Sequence, residues 1–123
     1  MKILVIEDEI LIQKSLQKLL ELKGCSVTAT SMGREAIQLI QNNSYDRIIC
    51  DLMLQDITGF DIIEESKSLY SSHEIAEKFI IITAYSSPQV IENAQKYSCK
   101  ILNKPFEDIH SAINFFIGNK DEK

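Results

Sequence analysis

Five short apolar runs, separated by stretches with helical spacing, constrain the fold of this chain more than any other feature. Four of the runs are continuously apolar, as expected of strands that are covered on both faces of a sheet. The second run, taken with the two residues before it (25–30), alternates polar and small apolar residues and is typical of an edge strand. The runs lie at residues 3–6, 27–30, 48–50, 79–82 and 101–102.

Helical spacing of apolar residues fills the gaps between these runs. Gly24 follows the first helix at a C-terminal cap position, and Pro88 stands where the first turn of a helix tolerates proline. Residues 66–78 form a longer and more polar connection, which we predict to be a helix end followed by a mobile loop. The predicted helices lie at about 12–20, at 36–40 with an end at Asn42-Asn43, at about 60–69, from Pro88 onward, and at 109–117.

This alternation of strand and helix, repeated five times, predicts an α/β fold with an open, doubly wound sheet of parallel strands. The sequence contains no internal repeat, low-complexity stretch or linker, and 123 residues fit a single domain. We therefore predict one domain over residues 1–118 and a polar tail over 119–123. With no output domain in this chain, we expect it to act through partners or to be a piece of a larger protein.

Charge and cysteine content exclude several function classes. The net charge is −5 and Arg34 and Arg47 are the only arginines, so the clustered basic charge that nucleic-acid binding needs is lacking. The three cysteines form no CxxC pair, which argues against a zinc site or a disulfide framework and favours a reducing compartment. The first apolar run is too short for a signal peptide or a membrane span. We expect a cytoplasmic protein that contacts neither nucleic acid nor membrane.

Residues suited to phosphoryl chemistry follow four of the five predicted strands. Glu7 and Asp8 follow the first strand, Asp51 the third, Thr83 the fourth and Lys104 the fifth. In open α/β sheets, ligands bind outside the carboxyl ends of the strands. Three carboxylates at one point repel each other, so without a cation at least one pKa should rise. Oxygen ligands of this kind suit a hard cation such as Mg²⁺.

Together, these segments resemble the receiver domain of two-component response regulators over essentially the whole chain. Each segment is weak evidence alone, but four in order, each at the expected strand end, are specific. The resemblance implies the flavodoxin-like strand order 2-1-3-4-5 and a cis Lys104–Pro105 bond. The matching segments are 3–9 (ILVIEDE), 51–54 (DLML) with Gly59 eight residues after the aspartate, Thr83-Ala84, and 104–106 (KPF).

The resemblance also implies a role for each acid. Asp51 would accept a phosphoryl group from a sensor histidine kinase or a phosphotransfer protein. Asp8, Asp51 and the backbone carbonyl of Met53 would bind Mg²⁺ directly, and Glu7 would act mainly through water. The domain would catalyse only its own phosphorylation and dephosphorylation, so it is not expected to be an enzyme that turns over an external substrate.

The remaining site residues implied by the resemblance would receive the transferred group. Lys104 would pair with the phosphoryl oxygens, Thr83 would donate its hydroxyl, and the backbone N–H of Ala84 would bind another oxygen. The phosphorylated state would then switch a surface that a downstream partner reads. The sequence does not identify that partner.

Two departures from the family pattern concern the output rather than the chemistry. Ile101 stands where an aromatic residue is usual, three residues before Lys104, and Tyr97 stands where glycine is usual. The alternative is therefore a pseudo-receiver, a binding module regulated without phosphorylation. A phosphatase of the haloacid-dehalogenase type is disfavoured because Met53 stands where its second aspartate would be. A flavin site is disfavoured because the acids after the first strand would repel the phosphate.

Overall fold

The computed structural model describes residues 1–118, and the polar tail predicted for 119–123 lies outside the described residues. Within residues 1–118, five strands alternate with six helices. The strands are β1 (Lys2–Ile6), β2 (Ser26–Thr30), β3 (Arg47–Asp51), β4 (Phe79–Thr83) and β5 (Lys100–Asn103). The helices are α1 (Ile10–Leu22), α2 (Gly33–Asn42), α3 (Gly59–Ser66), α4 (Ser72–Lys78), α5 (Pro88–Lys96) and α6 (Ile109–Ile117).

The five strands form one parallel sheet in the order β2-β1-β3-β4-β5, which confirms the predicted α/β fold and strand order. β2, whose residues alternate in polarity, lies at one edge of the sheet, as predicted, and β5 lies at the other. Because every pairing is parallel, all five strands end on the same side of the molecule. The residues that follow β1, β3, β4 and β5 are therefore neighbours in space.

The two-residue period of the strands divides the apolar residues between two cores. Along β1, Leu4 and Ile6 belong to one core and Ile3 and Val5 to the other, and all four are fully buried. Helices α2, α3, α4 and α5 cover the first core, and α1 and α6 cover the second. This arrangement explains why the strand runs are continuously apolar: each face of the sheet is covered by helices.

The helix boundaries follow the predicted cap residues. Gly24 lies just beyond the end of α1 with a φ of 89°, a left-handed conformation that favours glycine. Asn43 is the C-cap of α2. Pro88 is the first residue of α5, and the Ser87 side chain accepts a hydrogen bond from the backbone N–H of Val90.

The connection after α3 differs from the prediction. Helix α3 ends at Ser66 rather than near Leu69, and the segment predicted as a mobile loop contains α4. A capping box starts this short helix: Ser71 Oγ accepts from the Glu74 N–H, and the Glu74 carboxylate accepts from the Ser71 N–H. Ile75 then anchors α4 in the first core. The capping signal is present in the sequence, but the polar composition of the segment obscures it.

Two further observations concern membrane and cysteine chemistry. Among residues 1–118, no helix combines the length and the apolar character needed to cross a membrane. Cys25, Cys50 and Cys99 are buried free thiols.

Candidate functional site

Polar residues lie at the carboxyl ends of four of the strands, along the common edge of the sheet. Glu7 comes directly after β1, Asp51 and Thr83 are the last residues of β3 and β4, and Lys104 follows β5. Glu7 is 0% exposed, Asp51 4% and Thr83 0%. Buried charges are costly unless they are paired, so such a cluster needs internal partners or a bound ion.

Lys104 supplies that pairing. Its Nζ donates to Glu7 Oε1 at 3.0 Å, to Asp51 Oδ2 at 3.2 Å and to Glu9 Oε1 at 3.0 Å. The Lys104 side chain is only 6% exposed. Its backbone N–H donates to the Thr83 carbonyl at 2.8 Å, which continues the pairing of β4 with β5, and the Lys104–Pro105 bond is cis, as expected from the resemblance.

Burial has the largest effect on the pKa values of the carboxyl groups in the site, and hydrogen bonds and neighbouring charges modify it. Burial raises the pKa of Glu7 to about 7, and the nearby Asp51 carboxylate adds to this rise. Burial also raises the pKa of Asp51, against the lowering effect of Lys104. Burial alone would lower the pKa of Lys104, but its hydrogen bonds to Glu7 and Glu9 and the charge of Asp51 raise it. The rise predicted for a carboxyl group at this edge is therefore present, with burial as its main cause.

The acids are also arranged in a way that suits a metal ion. Glu7, Asp8 and Asp51 each offer a carboxylate oxygen, and these oxygens all lie within 4.8 Å of one another. A donor set made only of oxygen, with several negative charges, fits a hard divalent cation such as Mg²⁺. Asp8 is half-buried, whereas Met53 is exposed and its backbone N–H donates to Asp51 Oδ1 at 3.3 Å.

Thr83 and Ala84 lie beside this cluster without joining it. The Thr83 hydroxyl donates to the Tyr85 carbonyl at 3.0 Å and accepts from the Tyr85 N–H at 2.9 Å. It is therefore engaged by its own loop and not by Asp51. Ala84 is exposed at the start of that loop. Of the residues predicted for the site, the structure brings together Glu7, Asp8, Asp51 and Lys104.

Glu9 is a member of the cluster to which sequence reasoning assigned no role. Its carboxylate reaches Lys104, and its backbone N–H donates to Glu7 Oε2 at 3.0 Å. The only signal in the sequence is that Glu9 is the third acid in a row after β1. An acid just before a helix is usually explained by the helix N-terminus, and this explanation hides its contact with a residue 95 positions away.

The loop after Asp51 is held from both sides. A Cβ atom at Gly59 would lie 3.0 Å from the Asp51 carbonyl oxygen and 3.2 Å from Cys50 Sγ, so this close approach favours glycine. Thr58 and Asp61 form a capping box that starts α3 immediately after the loop. The position of the loop relative to Asp51 is thus set by backbone packing.

The same loop also caps helix α2. Both carboxylate oxygens of Asp56 accept backbone hydrogen bonds, from Gly33 and from Arg34, at 2.9 Å each. The N-cap residue of α2 is Met32, whose side chain cannot accept such bonds. Asp56 therefore provides the cap that the local sequence lacks.

Tyr97 is half-buried and packs against α3. Its ring stacks on Phe60 with centroids 5.9 Å apart, and its hydroxyl donates to Glu64. Ile101 lies on β5 and packs against the first core.

Comparison with known proteins agrees with this geometry. Residues 3–114 match the family model described as the response regulator receiver domain. This chain belongs to the response regulator receiver family. The receiver domain of the Francisella response regulator 1452 superposes with a TM-score of 0.80 at 29% identity, covering 94% of this chain and 93% of that one.

Two curated relatives are longer than this receiver domain. The response regulator SaeR of Staphylococcus aureus is 34% identical over 82 residues, which is 67% of this chain and 34% of SaeR. The transcriptional regulatory protein ZraR of Escherichia coli is 31% identical over 94 residues, which is 76% of this chain and 20% of ZraR. This chain thus spans about a third of SaeR and about a fifth of ZraR.

Membership of the family favours a receiver over the phosphatase and flavin-binding alternatives. The chain has the fold of the receiver domain of two-component response regulators. Receivers of this family interact with histidine kinases or phosphotransfer proteins. ZraR is named a transcriptional regulator, so the expected absence of nucleic-acid binding stays a prediction for this chain, as does its cytoplasmic location.

Proposed function

We propose that this receiver accepts a phosphoryl group on Asp51, from a sensor histidine kinase or a phosphotransfer protein, in a Mg²⁺-dependent reaction. Phosphorylation then switches a surface that a downstream protein reads. One observation carries the proposal. A nearly buried aspartate ends the central strand β3, 3.2 Å from a buried lysine ammonium and within a group of three carboxylates.

In this proposal, Asp51 is the nucleophile. A carboxylate oxygen attacks phosphorus, the bond between phosphorus and the imidazole nitrogen of the phosphohistidine breaks, and its electron pair leaves with the imidazole. Transfer of this kind depends mostly on position and charge compensation. The Met53 N–H and Lys104 Nζ contact different oxygens of Asp51 and so fix the orientation of the carboxylate.

The other residues hold the charges that the reaction brings together. Glu7, Asp8, Asp51 and the backbone carbonyl of Met53 would hold Mg²⁺, with Glu7 acting mainly through water. When bound, Mg²⁺ supplies positive charge that offsets the repulsion between Asp51 and an anionic phosphoryl donor. Lys104 supplies a further positive charge as a point donor to the phosphoryl oxygens.

Thr83 and Ala84 complete the proposed binding of the phosphoryl group. The backbone N–H of Ala84 would donate to one phosphoryl oxygen, and its small exposed side chain leaves space there. The Thr83 hydroxyl would donate to another, which requires it to exchange the Tyr85 carbonyl for the phosphoryl group. This exchange would displace the loop between β4 and α5, and so link phosphorylation to the surface of the domain.

Intact-mass measurement tests the proposal directly. Incubation with acetyl phosphate and Mg²⁺ should add about 80 Da, the mass of one phosphoryl unit, to the wild type but not to Asp51→Asn. Asp46→Asn is the matched control, because Asp46 lies at the opposite end of β3. It should gain the same mass as the wild type, and excess EDTA should prevent the gain in both. Failure of the wild type to gain mass or to bind BeF₃⁻ would instead favour a pseudo-receiver.

A further inference from the structure

We infer that Glu9 is a positioning residue that holds Lys104 in the resting state and competes with the phosphoryl group for it. This inference rests on the proposed function, because it concerns how Lys104 becomes available to a phosphoryl group on Asp51. It concerns the rate of that step and not the identity of the acceptor.

The orientation of the Glu9 side chain is the first observation. Glu9 is the N-cap residue of α1, a position from which a side-chain oxygen can accept a hydrogen bond from the first turn of the helix. The structure shows no such bond. The Glu9 carboxylate instead turns to Lys104 Nζ, 3.0 Å away. Its preferred partner is therefore the buried lysine and not its own helix.

The number of donors on Lys104 is the second observation. A lysine ammonium carries three N–H donors, and Lys104 contacts three carboxylates, those of Glu7, Glu9 and Asp51. All its donors are thus used in the resting state. A phosphoryl oxygen on Asp51 can be bound by Lys104 only if one of these contacts is exchanged.

Burial indicates which contact is exchanged. The Glu7 side chain is 0% exposed, so losing Lys104 would leave its charge without a partner away from water. The Glu9 side chain is 62% exposed, so water can replace Lys104 there at little cost. Of the two contacts that Lys104 makes to residues other than the acceptor Asp51, the one with Glu9 is therefore the one that gives way when the phosphoryl group arrives.

Removing the Glu9 charge should accordingly speed phosphorylation. Exposed ion pairs contribute roughly 0.2–1 kcal/mol, which corresponds to an increase of about 1.4- to fivefold in the rate constant for Glu9→Gln. The measurement is the rate of adduct formation with acetyl phosphate at saturating Mg²⁺. An ionic strength of about 0.5 M is used, at which long-range attraction of the anionic donor is largely screened.

Two controls separate positioning from general electrostatics. Glu107→Gln removes the same charge from an exposed residue on the Lys104 loop and should leave the rate unchanged. In a Lys104→Met background, Glu9→Gln should also have no effect, because the side chain through which Glu9 acts is absent. Equal acceleration by Glu107→Gln, or acceleration that persists without Lys104, would contradict the inference.

The outcome also distinguishes this inference from the proposed function. If the wild type and Glu9→Gln form the Asp51 adduct at the same rate, or Glu9→Gln is slower, the positioning role is wrong and the proposed function stands. If none of the variants forms an adduct while the proteins remain folded by circular dichroism, the proposed function itself is wrong and the inference falls with it.

Discussion

Two clusters in this receiver each contain a lysine–glutamate ion pair, but the two pairs differ in how far their side chains are buried. One is the site at the carboxyl edge of the sheet. The other, here called the aromatic cluster, joins α3 to the end of α5 and consists of Phe60, Glu64, Lys67 and Tyr97. In it, Lys67 Nζ lies 2.9 Å from Glu64 Oε2 and 5.2 Å from the centre of the Tyr97 ring.

Burial is the difference between them. In the site, Lys104 is 6% exposed and Glu7 0%, whereas Lys67 is 52% exposed and Glu64 51%. The pKa values move in opposite directions as a result. Burial raises the pKa of Glu7, while hydrogen bonds from Tyr97 and Lys67 lower that of Glu64. In the buried site, the charged form of the glutamate is disfavoured even beside its lysine. In the exposed aromatic cluster, the lysine–glutamate pair gives weak stabilisation.

The largest expected effect comes from removing the buried lysine. Lys104→Met leaves the buried carboxylates of Glu7 and Asp51 without their partner, and breaking such a cluster costs about 3 kcal/mol of unfolding free energy. Urea unfolding at pH 8 with EDTA measures this loss. Added Mg²⁺ should restore part of it, because a bound cation would balance the same carboxylates. A loss no greater than that of an exposed lysine would show that the two clusters are energetically alike.

A smaller effect is expected in the aromatic cluster from Tyr97→Phe, which keeps the stacked ring and removes the hydroxyl. The pKa of Glu64 should rise towards its usual value, as followed by the carboxyl ¹³C shift, and the melting temperature should fall by about 2 °C. A lowered carboxyl pKa stabilises the fold above that pKa and loses this effect as the pH falls through it. The difference between variant and wild type should therefore vanish in acid, and a difference that persists there would contradict this explanation.

The smallest effect is expected from Lys67→Met, the same substitution as Lys104→Met but in the exposed cluster. Water and salt already screen the Lys67–Glu64 pair, so the unfolding midpoint in urea should match that of the wild type within error. Measured beside Lys104→Met, it isolates burial as the variable. A large loss of stability for Lys67→Met would mean that the aromatic cluster is a structural centre in its own right.

Most of the fold followed from the sequence because its signals are local. The apolar runs identified the strands, and Gly24 and Pro88 marked helix boundaries that the structure confirms. The gathering of Glu7, Asp51 and Lys104 also followed, because parallel strands must end together. The strand order was predicted from the resemblance to the family, since periodicity alone does not show which strands are neighbours in the sheet.

The features that were missed depend on contacts that the local sequence does not specify, or on signals too weak to stand out. The engagement of Thr83 by Tyr85 is a choice among rotamers, and the turn of Glu9 towards Lys104 depends on a partner far along the chain. Helix α4 was missed for another reason: its seven residues carry only one buried apolar side chain, Ile75. In the same way, the site and the aromatic cluster contain the same residue types in their ion pairs, and only the burial of those side chains distinguishes them.

The capping of α2 by Asp56 has a consequence for the order in which this domain is built. The first-turn amides of α2 find their acceptors 22 and 23 residues later in the chain, on the loop that follows β3. During synthesis, these two amides therefore lack their Asp56 acceptors, and water takes that place, until the loop has emerged. The cap of α2 is thus complete only when the loop beside Asp51 is in place.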